Sequence, residues 1–404
     1  MSLVITDIGE LTTNDPETGR LHDAAVVVQD GRIAWIGRAA DAPASDHRVS
    51  LEGAALLPGW VDTHSHIVFA GDRSDEFEAR MAGQRYQAGG ITVTVAATRA
   101  ATADELRVST HALRAEAARG GTTFLETKTG YGLDVQSEVR SAQVAREVAD
   151  TVTFLGAHVV PPDVDHREYV DLVRGPMLQA VLPYVDSIDV FCEQGAFTVD
   201  ESREILLAGR EAGLALRVHG NQLGHTGGVA LALELGARSV DHCNHLTDED
   251  VAALAASGTV ATFLPACDLS TREPFGPARA ILDAGGTVAL ASNCNPGTSF
   301  TTSMQFCVAT AVLQMRLTIE EAVYAATAAA ARSVARDDIG IIRVGARADL
   351  QSLHAPGISH LAYRPGVPLT GRVWKDGVEI AGPRQHDVPR TAGSGSSTRE
   401  TFRS

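Results

Sequence analysis

The chain has 404 residues and a formal net charge of -16, which argues against a nucleic-acid-binding surface and against docking to anionic membranes. That length admits a large α/β barrel with a satellite or two ordinary domains. The five cysteines are scattered, with no Cys-x-x-Cys pair and no basic-then-apolar leader at Met1. Reduced thiols in a cytoplasm are expected. No apolar run approaches the roughly 18 residues that span a bilayer, so we expect a soluble protein whose partner is a small molecule.

Residues 1–57 read as short strands. Ala24 to Gln29 and Arg32 to Ile36 are apolar and β-branched, and Asp30-Gly31 between them is a hairpin signal. From Gly59 to about Ala335 the pattern changes to short apolar runs separated by alanine-rich helical stretches such as Ala103 to Arg119 and Ile319 to Ala335. Such alternation predicts parallel strands joined by helical crossovers. The runs are Trp60 to Thr63, Thr122 to Lys128, Val152 to Gly156, Ile188 to Cys192, Leu214 to Val218, Ser239 to Asp241, Val260 to Pro265 and Val288 to Ser292. Eight strands favour a closed (β/α)8 barrel of the TIM type, with its chemistry at the carboxyl ends of the strands. Nearly every run stops at a polar group: His64/His66, Lys128/Tyr131, His158, Glu193, His219, His242, Asp268 and Asn293.

Beyond the barrel, Val344 to Leu350 and Arg372 to Ile380 read again as strands, with Asp376-Gly377 as a second hairpin turn. The expected organisation is therefore an α/β protein: a barrel over 58–339 and a composite β-sandwich built from 1–57 and 340–383. The segment 384–404 is poor in apolar residues and expected to be disordered.

The stretch Leu57-Pro58-Gly59-Trp60-Val61-Asp62-Thr63-His64-Ser65-His66 carries the first chemical signal. Two histidines one residue apart on an extended backbone share a side, which suits a metal. His-x-His pairs also occur by chance, and His219 or His242 taken singly reads as a satisfied interior histidine. Together at one predicted barrel rim they form a ring that can hold a cation and position a water.

Pro58-Gly59, His64-Ser65-His66, Phe69-Ala70-Gly71-Asp72-Arg73, Lys128-Thr129-Gly130-Tyr131-Gly132-Leu133, Phe154-Leu155-Gly156-Ala157-His158, His219-Gly220-Asn221-Gln222, Asp241-His242 and Asn295-Pro296-Gly297-Thr298 resemble, in this order, the imidazolonepropionase family of the amidohydrolase superfamily. The resemblance runs to about Trp374. It implies hydrolytic opening of 4-imidazolone-5-propanoate to N-formimino-L-glutamate, a step of histidine degradation, on one zinc or iron ion. It further implies His64, His66 and His219 as ligands, with Asn293 at the fourth ligand position. Arg73, Tyr131, His158, Gln222 and Thr298 match the substrate contacts, and Tyr131, Asn295 and Gly297 the product contacts. Members of the family are commonly homodimers.

The residue chemistry agrees with these roles. A planar guanidinium at Arg73 suits a propanoate carboxylate, Gln222 offers both donor and acceptor to a ring edge, and His242 is the expected proton shuttle. Each also has a plainer reading. Arg73 could pair with Asp72, Asp75 or Glu76, Tyr131 and His158 could pack or cap, and Asn295-Pro296-Gly297 could simply be a turn. Lys128 matches the one-metal family and is not expected to bridge metals. His111, His166, His225, His245, His354, His360 and His386 are given no chemistry. The resemblance departs at Asn293, where the family carries aspartate: an amide oxygen coordinates weakly and is no base at neutral pH. Two other readings stay open. One is a related hydrolase or deaminase of another small cyclic amidine or lactam, and the other is a binding barrel with impaired catalysis.

Overall fold

The computed structural model describes residues 2–83 and 90–382. The expected disorder of 384–404 lies outside the described residues. The terminal segments form one sheet. Its strands are Ser2–Thr12 (β1), Arg20–Gln29 (β2), Arg32–Arg38 (β3), His47–Ser50 (β4) and Leu56–Pro58 (β5). Both hairpin signals are realised: Asp30 and Gly31 take φ of 50° and 76°, the left-handed pair that a two-residue turn needs.

Gly59 alone separates β5 from Trp60–Asp62 (β6), the first barrel strand. The others are Thr122–Lys128 (β7), Thr151–Ala157 (β8), Ser187–Cys192 (β9), Ala215–Gly220 (β10), Ser239–His242 (β11), Val260–Phe263 (β12) and Val288–Leu290 (β13). They are parallel and lie in chain order from β6 to β13. All eight predicted runs are strands, with ends shifted by a few residues. Residues of β7 are buried on both faces, as expected when side chains fill the barrel on one side and helices cover the other.

The barrel closes at its carboxyl end. His64 C=O accepts from Asn293 N–H and Cys294 C=O from His66 N–H, each at 2.9 Å. Beside this seam the Asp62 carboxylate accepts from Ser292 N–H at 3.1 Å and from its hydroxyl at 2.6 Å. Lower down, Val61 N–H turns instead to Ala326 C=O at 3.0 Å. The first and last strands are thus joined where the histidines stand.

The chain returns to the terminal sheet through Leu350–Leu353 (β14), Thr370–Lys375 (β15) and Val378–Ala381 (β16). The strand order is β16-β15-β14-β5-β1-β2-β3, with β4 on β1. Ile5, Ile8, Val26, Ile33, Leu350 and Trp374 share one apolar cluster drawn from both ends of the chain. Asp376 and Gly377, with φ of 51° and 74°, make the second hairpin turn.

Two local expectations are corrected. Val344 to Asp349 is no regular strand, because Gly345 adopts φ 88° and the Arg347 amide bonds to Asp338; only an isolated antiparallel bridge between Arg347 and Arg32 remains. The helical stretch from Ile319 breaks into Ile319–Ala325 and Ala328–Ser333. At the break Thr327 has φ -138° and ψ -97°, and its hydroxyl accepts from Asn14 Nδ2 at 2.7 Å. Among the described residues no helix is long and apolar enough to cross a membrane, and the five cysteines are buried and unbridged.

Candidate metal centre and substrate pocket

His64 and His66 follow β6, while His219 and His242 lie at the ends of β10 and β11. Because parallel strands carry their ends to one rim, the four imidazoles meet there. One nitrogen from each of His64, His219 and His242 lies within 4.8 Å of the others, and His66 Nε2 is 3.2 Å from His64 Nε2. The expected set was His64, His66 and His219. In the structure His242, expected as a shuttle, stands as close to the cluster as the ligand candidates.

Two carboxylates orient this ring. His64 Nδ1–H donates to Asp241 Oδ2 at 2.7 Å, which leaves Nε2 as its lone-pair nitrogen. His219 Nδ1 lies 2.9 Å from Asp189 Oδ2. Beneath them Lys128 Nζ is 3.0 Å from Glu126 Oε1, 3.0 Å from Asp189 Oδ2 and 3.8 Å from Asp241 Oδ2, all fully buried. Lys128 is therefore committed to neutralising carboxylates.

Burial first, and then mutual repulsion with Lys128 and the neighbouring imidazoles, holds His64 well below the ordinary histidine range. The same causes lower His66, and His242 is lowered by burial and His219. These imidazoles are neutral, which is the form that binds a cation. His66 Nδ1, His219 Nε2 and His242 Nδ1 are buried without a hydrogen-bond partner. Unpartnered nitrogens beside neutral imidazoles, with aspartates behind two of the rings, are a donor set that fits a divalent metal ion.

A cavity opens over the ring. His66, His219, His242, Asn293, Arg73, Tyr131, His158, Gln222, Asn295 and Thr298 line it, so most of the predicted site residues are brought together. His64 is fully buried behind His66. Gly297 is not in this lining; it backs Arg73 from a neighbouring pocket, where a Cβ would come within 2.1 Å of Nη1. Ile91, Val159 and Phe191 supply apolar lining that the sequence did not single out.

Arg73 makes the ion pair of its plainer reading and also lines the cavity. Its Nε and Nη2 each donate to Glu76 at 2.8 Å, and this pair fixes the guanidinium in the cavity wall. Asn295 likewise builds a turn, its Oδ1 accepting from the amides of Gly297 and Thr298 at 2.9 and 2.8 Å. His158 stacks on His66, with ring centres 5.5 Å apart. Its Nδ1–H donates to Gly130 C=O at 3.0 Å, and burial pushes its pKa down to about 3. Gln222 is held through its backbone, since Glu193 Oε2 accepts from the amides of Gln222 and Leu223 at 2.9 and 3.0 Å.

Three strand-end residues are not at the mouth. Lys128 lies inside the barrel, and Glu193 sits beneath a loop. Asp268 belongs to the helix Pro265–Thr271, where its Oδ1 accepts from Asn244 at 2.8 Å. Asp189 and Asp241 were missed as partners of the ring. Their signal was present: each is an acidic residue inside a short apolar strand.

Several backbones at the rim are left-handed. His242 takes φ 83° and Asn293 φ 50°, an arrangement costly for most side chains and concentrated at functional sites.

Residues 55–365 match the model of the amidohydrolase family. An imidazolonepropionase of Saccharopolyspora erythraea is 65% identical over 385 residues, covering 94% of this chain and 99% of that protein. An imidazolonepropionase of Mycolicibacterium smegmatis is 57% identical, covering 93% and 97%. Among solved structures, an adenosine deaminase from Xanthomonas campestris with bound zinc superposes with a TM-score of 0.71 at 20% identity, covering 93% of this chain and 92% of that one. An atrazine chlorohydrolase from Arthrobacter aurescens gives 0.72 at 17%, covering 94% and 95%; at such identity these two speak for the fold alone. With a barrel of eight parallel strands, an imidazole ring at its carboxyl rim and near-full-length relatives above half identity, the chain belongs to the amidohydrolase family, within its imidazolonepropionase branch.

Proposed function

We propose that this chain opens the ring of 4-imidazolone-5-propanoate by hydrolysis, giving N-formimino-L-glutamate in histidine breakdown, with one zinc or iron ion. The observation that carries the reading is the cavity itself, which has His66, His219 and His242 on its floor and a clamped arginine in its wall. A bound dication would lower the pKa of water towards roughly 7 and polarise the ring carbonyl.

His64, His66 and His219 are the proposed ligands, with the Asn293 amide oxygen beside them. Arg73 binds the propanoate carboxylate, and Tyr131 and Gln222 hold the ring. His158 presents Nε2 as an acceptor because Nδ1–H is engaged by Gly130. Water adds its oxygen to the ring carbonyl carbon, the adjoining C–N bond breaks, and the departing nitrogen takes up a proton. His242, neutral and with an unpartnered Nδ1, takes the proton from water and returns it to that nitrogen. Thr298, Asn295 and Gly297 shape the wall that releases the product. The same reading includes a barrel domain over 58–339, a partner domain from the flanking segments, a cytoplasmic location and homodimeric assembly.

The test is turnover of 4-imidazolone-5-propanoate by native protein and by Asn293→Asp, each loaded with zinc or iron and assayed for bound metal. We expect turnover by the native chain and tighter metal retention in the variant, since aspartate adds a charged ligand. Absence of turnover in both metal-loaded proteins would refute the reaction. A native protein that binds no metal would favour a binding barrel.

A further inference from the structure

We propose that Glu138 is a positioning residue for the substrate side of the pocket: its carboxylate fixes the Gly130–Leu133 loop, and thereby where Tyr131 stands and which nitrogen of His158 faces the substrate. This rests on the reading above, in which Tyr131 and His158 touch the substrate.

Glu138 lies in the first turn of the helix Val135–Val148, whose N-terminus is already capped by Asp134, with Ser137 N–H donating to Asp134 Oδ1 at 2.8 Å. The Glu138 carboxylate makes no bond to this helix end. An acidic residue in a first turn is ordinarily solvated, yet Glu138 is fully buried. Its carboxylate instead turns back to the loop. Oε1 accepts from Gly132 N–H at 2.7 Å, Leu133 N–H at 2.9 Å and Gly130 N–H at 3.2 Å, and Oε2 lies 3.1 Å from the same Gly130 nitrogen. Amides converge in this way because Gly130 and Leu133 are left-handed, with φ of 110° and 55°. No side chain fits at Gly132, where a Cβ would lie 2.7 Å from the Glu138 amide nitrogen and 2.8 Å from Oε1.

The loop is gripped from its other side by Arg99, whose Nε donates to Gly132 C=O at 2.6 Å and Nη2 to Leu133 C=O at 3.0 Å. Tyr131 sits between these clamps and lines the cavity. Gly130 has a second duty: its amide is held by Glu138 while its carbonyl accepts from His158 Nδ1–H at 3.0 Å. A carbonyl accepts only, so the proton must be on Nδ1 and the lone pair on Nε2. One buried carboxylate therefore governs two neighbouring contact residues through a single loop.

The test compares native protein with Glu138→Gln and Glu138→Ala. In the glutamine variant the remaining carbonyl oxygen can still accept from Gly132 and Leu133 N–H, but an amide NH2 faces Gly130 N–H and the negative charge that strengthens every one of these bonds is gone, so the grip weakens without loss of volume. We expect KM for 4-imidazolone-5-propanoate to rise about tenfold and kcat to stay within roughly threefold, the signature of lost substrate positioning. Metal content should not change. Nitrogen-15 NMR should show His158 as the Nδ1–H tautomer in native protein and as a mixture in the variants. If Glu138→Gln folds and keeps both KM and the His158 tautomer, Glu138 is a scaffold residue and the proposal is overturned. Should Glu138→Ala fail to fold, Glu138→Gln decides alone. Failure of the native protein to turn over the substrate would sink the assigned reaction instead, leaving the tautomer comparison to decide the role of Glu138.

Discussion

Replacing Gly297 by alanine tests how the carboxylate end of the pocket is built. The glycine backbone is not left-handed, so alanine fits the local conformation and the perturbation is one methyl group. That methyl would lie 2.1 Å from Arg73 Nη1 and 2.4 Å from Cζ, where ordinary contact begins at 3.4 Å. The guanidinium must retreat by roughly 1 Å or more, and Glu76, bonded to it at 2.8 Å twice over, must follow or let go. The loop itself stays pinned, because Gly297 C=O accepts from both Nη atoms of Arg80 at 3.1 Å. Since the yielding group is a side-chain tip, the loss of stability should be under about 1 kcal/mol. A charge-assisted bond to the substrate carboxylate is worth about 1.5–3 kcal/mol, which converts to roughly 10- to 150-fold in KM. Steady-state kinetics with 4-imidazolone-5-propanoate should show that rise, with kcat changed less than about threefold. An unchanged KM, or a fall in kcat alone, would refute the placement of Arg73 as carboxylate anchor.

Lys128→Met should leave Glu126, Asp189 and Asp241 without their shared cation and cost about 3–5 kcal/mol. Urea unfolding measures this, and a change below about 1 kcal/mol would contradict the burial argument. His242→Gln should lower kcat by about 10²–10⁴ while bound metal stays constant; loss of the metal would instead make His242 a ligand. Burial pushes Asp268 up to about 8 against the hydrogen bond from Asn244. The folded state then holds a proton that the unfolded chain releases near pH 4, so native stability falls as pH rises from about 4 to 8, by up to about 1.4 kcal/mol per pH unit. Asp268→Asn should remove that slope in denaturation profiles at pH 5, 7 and 9, and parallel profiles would disprove it.

The barrel was legible because each strand is a short apolar run ended by a polar group, and His64 and His66 because alternation on an extended backbone puts them on one side. The pairing of Arg73 with Glu76 is legible from local charge, and only the fold shows that the paired side chain lines the cavity. Less legible were groups whose partners are backbone amides of distant loops. Glu138 looks like an ordinary surface acid in sequence and Glu193 like a residue of the rim, and only the fold shows what they hold. The break at Thr327 was unreadable for a related reason, because its partner Asn14 lies near the other end of the chain. Strand ends erred where a polar terminus such as Asp268 was taken for the rim, when the chain had already entered a helix.

The seam between the first and last barrel strands has a thermodynamic consequence. The amides and carbonyls that zip it belong to His64, His66, Asn293 and Cys294, so any fluctuation that unzips the cylinder there also scatters the groups proposed to grip the cation. A bound ion would act as a rivet across the joint, and hydrogen exchange at the amides of His66 and Asn293 should slow on metal loading before any other backbone position responds.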